Sequence, residues 1–83
     1  MEINLIYLMN QLKVVSQIEE VGSELGEPDC KLVSPYVVND DGTLSPFLES
    51  VTKDIEFMIS SDKILTLATP TPTLLEKYQD LIK

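Results

Sequence analysis

The sequence predicts a mainly β domain, antiparallel, with one C-terminal α-helix. Three observations lead there. Short apolar segments rich in Val, Ile, Leu, Tyr and Phe recur at strand length, separated by Gly, Pro, Asn and Asp. Only the last segment carries a strong helical stripe. The 83 residues, 1–83, are one domain's worth of chain.

Residues 3–9 are nearly all apolar. Ile3, Leu5, Tyr7 and Met9 alternate as in a strand, and Asn10-Gln11 follows as a turn. Leu5, Leu8, Met9 and Leu12 also have helical spacing, so a helix is the alternative there. Residues 12–21 read as a second strand, and Gly22 to Asp29 as a loop. Cys30 to Val38 form a third strand, where Pro35 removes a ladder donor and marks a bulge or an edge. Asn39-Asp40-Asp41-Gly42 is a turn signal. Residues 43–54 are expected to be irregular, broken by Pro46. Ile55 to Ile59 make a fourth strand, Ser60 to Asp62 a tight connection, and Lys63 to Thr69 a fifth strand. Pro70 and Pro72 are expected to stop the sheet. Thr73 and Glu76 have the spacing of a capping box. The stripe Leu74, Leu75, Tyr78, Leu81 and Ile82 then predicts a helix over about 73–82. Five short strands and one amphipathic helix suggest a small barrel or a bent sheet.

Composition narrows the function classes. Six lysines face fourteen carboxylates with no arginine, giving a net charge of −8. Such a chain repels phosphate at long range and lacks the bidentate guanidinium grip, which argues against non-specific duplex binding. With no histidine, acid–base catalysis would fall to perturbed carboxylates, lysine or tyrosine. Asp40-Asp41 suits its turn, and Glu19-Glu20 points to opposite faces of a strand, so neither pair reads as catalytic. Cys30, the single cysteine, has no histidine base and can form neither an intrachain disulfide nor a structural zinc site. No catalytic residue, metal or cofactor is expected. No secretory signal or membrane span is read, which makes the cytoplasm the expected location and a membrane partner unexpected.

The fourth and fifth strands are apolar on both faces in a domain too small to cover both. An open strand edge of that kind invites pairing. The expectation is a homo-oligomer in which Ile55, Phe57, Met58 and Ile59 of one copy pair with Ile64, Leu65 and Leu67 of the next.

The segment from Phe57 to Leu67 resembles the second signature of Sm and Sm-like (LSm) proteins, the Hfq-related small β-barrel family. There an apolar strand enters a short loop of basic residue, Gly and Asp or Asn, followed by an alternating strand. Ile59, Asp62, Ile64 and Leu67 fit, while Ser60 and Ser61 replace the basic residue and the glycine. Glu27 to Val33 resembles the first signature, with Lys31 where Asn is usual and Asp29 where a base-stacking side chain often sits. The whole chain is similar to small Sm-like proteins of marine metagenomic, cyanophage origin, which would place it in the host cytoplasm. The resemblance implies a strongly bent five-stranded barrel, assembled as a ring by fourth-to-fifth strand pairing. It also implies single-stranded RNA, or DNA, as partner, bound through Asp29, Lys31, Ser60, Ser61, Asp62 and Lys63. A role in nucleic-acid processing or chaperoning would follow. The other reading is an acidic oligomeric scaffold that binds protein and no nucleic acid. The two differ in whether Lys31 and Lys63 or Asp29 and Asp62 dominate the site.

Overall fold

The computed structural model describes residues 2–83 and is mainly β, a six-stranded antiparallel sheet with one C-terminal helix. The strands are β1 (Glu2–Leu8), β2 (Lys13–Glu20), β3 (Cys30–Val38), β4 (Leu44–Pro46), β5 (Glu56–Ile59) and β6 (Ile64–Ala68). The helix, α1, spans Pro72–Leu81. Residues 3–9, open between strand and helix by periodicity, are thus strand up to Leu8. A reversal at Asn10-Gln11 joins β1 to β2. There Gln11 takes a left-handed φ of 67°, and the Leu8 and Leu12 backbones are hydrogen-bonded at 3.0 Å.

The sheet runs β4-β3-β2-β1-β6, and β5 also pairs with β3. β5 faces the first half of β3, from Cys30 to Val33, and β4 faces the second half, from Tyr36 to Val38. A 3₁₀ turn at Ser61–Lys63 takes the chain from β5 directly to β6. These two strands lie at opposite ends of the order. In a flat sheet they would be separated by four strand spacings, about 19 Å. A 3₁₀ turn advances only about 2 Å per residue. The sheet therefore curls, bringing its two extremes together at that corner.

One face of the curl holds the core. Ile6 opposite Val14, with Leu8 and Leu32, is buried, and Leu12, Ile18, Phe57, Ile59 and Ile64 pack against this cluster. Phe47 meets Phe57 edge to face with ring centroids 5.3 Å apart. The period of two puts Val15, also fully buried, on the other face. On that side Tyr36 meets Tyr78 of α1 in a T-shaped contact at 5.8 Å. Tyr78 is the one buried residue of the helix.

Three expectations need correction. Residues 43–54 are not wholly irregular. Leu44–Pro46 form the edge strand β4, which Pro46 permits because its nitrogen faces the open edge, where the ladder needs no donor. The helix is capped by Thr71 rather than Thr73, since the Thr71 hydroxyl accepts the N–H of Leu74 at 3.3 Å. Pro72 sits at the first helical position, where its missing N–H costs nothing, so it opens the helix. Glu76 then lies beyond capping-box reach. Leu81, read as part of the buried stripe, is 49% exposed.

Candidate functional site

Asp29 closes the loop ahead of β3, and the Val21 N–H donates to its carbonyl at 3.0 Å, fixing its backbone. Its carboxylate reaches the turn between β5 and β6. Oδ1 accepts the backbone N–H of Ser61 at 2.7 Å, and Oδ2 accepts the Ser61 hydroxyl at 2.7 Å. These bonds favour the charged form, the hydroxyl contributing more than the amide, and hold the Asp29 carboxyl below its ordinary value. The serine at position 61 supplies a side-chain donor that a glycine there would lack.

A groove of about 190 Å³ opens between the two segments, lined by Gly26, Glu27, Asp29, Ser60, Ser61 and Asp62. Of the predicted site residues, the structure brings together Asp29, Ser60, Ser61 and Asp62. It does not bring in the lysines. Cys30 points to the core, so Lys31, next along the strand, points the other way, and its ammonium pairs with Glu56 at 3.7 Å. Lys63 ends the turn exposed, with its carbonyl accepting the Met9 N–H at 2.9 Å. Sequence reasoning does not single out Gly26 and Glu27. The signal available was Glu27 itself, the acidic residue that opens the stretch from Glu27 to Val33. The groove wall is acceptors, serine hydroxyls and three carboxylates.

A larger cleft of about 530 Å³ lies on the core side of β6, with Glu20, Cys30, Ser61, Ile64 and Leu67 in its wall. The Cys30 thiol is pushed above its ordinary value, first by burial and then by the carboxylates of Asp29 and Glu20. It stays protonated at neutral pH and is a poor nucleophile.

The predicted interface residues fall into two sets. Phe57, Ile59 and Ile64 turn inward onto the core. Ile55, Met58, Leu65 and Leu67 are each at least half exposed. β5 is hydrogen-bonded only to β3, and β6 only to β1, so each has one edge without a strand partner among the described residues. No helix among those residues is long and apolar enough to cross a membrane.

A family model described as a family of unknown function (DUF6561) matches residues 1–83. No curated protein matches the chain.

Proposed function

The chain belongs to the DUF6561 family, and we propose that it is a ring-forming, Sm-like module that binds single-stranded nucleic acid by base edges. The observation that carries this reading is the double hydrogen bond from Ser61 to Asp29, which unites the two signature-like segments around one groove. The strand order supports the assembly half. The unpaired edges of β5 and β6 suit pairing between copies, with Ile55, Met58, Leu65 and Leu67 as the exposed apolar surface to be covered.

The groove favours a particular mode of binding. Carboxylates accept from amino and imino groups on bases, and the serine hydroxyls can donate or accept. No cation lines the groove, so phosphates lie outside it, nearer to Lys63. Single sites of this kind are weak, and repetition around a ring supplies avidity. The salt response is shallow, because salt screens the repulsion from the acidic body as well as the lysine contacts.

The test is a titration of labelled oligo-U, oligo-A and oligo-G at low and moderate salt, with Asp62→Ala, Lys31→Glu and Lys63→Glu as controls, each first checked for intact assembly. The proposal expects saturable binding that Asp62→Ala weakens more than Lys31→Glu does. Absence of binding to every oligonucleotide overturns it. One observation favours a second reading, an acidic scaffold for a cationic protein segment: Glu27, Asp29 and Asp62 line the groove while both lysines stand elsewhere. A lysine-rich peptide that binds where oligonucleotides do not selects that reading.

A further inference from the structure

We propose that α1 is a latch on the sheet: docking of Tyr78 orders the bulge from which β4 and β5 both hang, so lifting the helix loosens β5 before the rest of the fold. The proposal goes beyond the ligand reading above and holds with or without a ligand.

The bulge lies between two points of the β2–β3 register, Val15 opposite Tyr36 and Gln17 opposite Val33. Between them Ser16 alone faces two residues, Ser34 and Pro35. A two-against-one mismatch leaves ladder groups without strand partners. The helix supplies what is missing. The Gln17 N–H donates to the Tyr78 hydroxyl oxygen at 3.2 Å. The Tyr78 O–H donates to the Ser34 carbonyl at 2.8 Å, with the Val33 carbonyl at 3.2 Å as the alternative acceptor. The hydroxyl of Ser16, a fully buried residue, donates to the Gln17 carbonyl at 2.8 Å, with the Val33 carbonyl at 3.2 Å as the alternative acceptor.

The same bulge anchors the outer strands. The Ser34 N–H donates to the Ile55 carbonyl at 2.6 Å, at the entrance to β5. The Phe47 N–H donates to the Pro35 carbonyl at 3.1 Å, at the exit from β4. Ser34 holds a φ of 53°, a left-handed conformation that a serine keeps only when its surroundings impose it. Two successive hydrogen bonds, Tyr78 to Ser34 and Ser34 to Ile55, thus connect the helix to β5. Without the first, Ser34 is free to leave its strained conformation, and the second loses its geometry. The helix itself is lightly held, with Tyr78 its one buried side chain.

Amide hydrogen exchange on the full chain tests the coupling, comparing wild type with Tyr78→Phe and Thr71→Ala. In Tyr78→Phe, the amides of Phe57 and Ile59, which face β3, are expected to exchange about tenfold faster or more relative to those of β1 and β2. Equal acceleration in every strand indicates general destabilisation and overturns the latch. Thr71→Ala removes only the exposed helix cap and keeps Tyr78, so it supplies the decision if Tyr78→Phe does not fold. It should loosen α1 and β5 together. Acceleration in α1 alone, with β5 unchanged, likewise overturns the proposal.

Discussion

Asp29 and Ser61 stand 32 positions apart and meet through two hydrogen bonds at 2.7 Å. Because the Asp29 carboxyl is held below its unfolded value, its contribution is complete above an unfolded pKa of about 3.9 and is lost as pH falls through the lower folded value. Asp41, held down mainly by the Thr43 hydroxyl, behaves in the same way. Asp29→Asn should therefore flatten, without abolishing, the fall of the thermal midpoint between roughly pH 5 and pH 2. A variant as acid-sensitive as wild type speaks against the bond's role. Tyr78→Phe removes the acceptor of the half-buried Gln17 N–H and should cost about 1–3 kcal/mol in denaturant unfolding. At this scale the sequence was partly legible. The expected proximity of Asp29 and Ser61 matches their hydrogen bonds, but Lys31 does not line the same groove. Strand alternation after inward-facing Cys30 decides where Lys31 points, and that rule competes with motif position.

The strands that alternate strongly were readable from periodicity, and β3 runs from Cys30 to Val38 as expected. β4 was not readable, because three residues ending in proline offer neither a period nor a run. The helix start was obscured by two threonines flanking Pro72, and the preference of proline for the first helical position decided between them. Stability should follow burial rather than the sequence stripe. Leu81→Ala should cost no more than about 0.5 kcal/mol, whereas Ile6→Ala, in the core, should cost roughly 2–5 kcal/mol. Chemical denaturation of the two variants measures the contrast. The outer edge of β5 has its own test. The Ser34–Ile55 hydrogen bond sets the ladder parity, which aims the Met58 N–H away from β3. Met58→Pro should then keep the β3–β5 ladder while removing a donor from the open edge. Sedimentation should show a folded monomer where wild type is oligomeric. A wild-type monomer at micromolar concentration defeats the assembly proposal.

Across the whole molecule, the sequence announced the fold class and suggested a bent sheet or small barrel, but not the pairing that curls it, which depends on where the last strand returns. No local signal says that β6 pairs with β1. That pairing, together with the short Ser61–Lys63 turn, is what bends the sheet. The turn has a further consequence under the proposed edge pairing. It joins the edge a copy would offer to the edge it would accept with, so both belong to one rigid corner. A head-to-tail contact of this kind repeats a fixed rotation from copy to copy, and it closes only where that rotation divides a full circle. The angle would be set by three residues rather than by the breadth of the interface. Lengthening this corner by a single residue would then change how many copies complete the circle, or turn a closed assembly into an open spiral, while leaving every contact between neighbouring strands available.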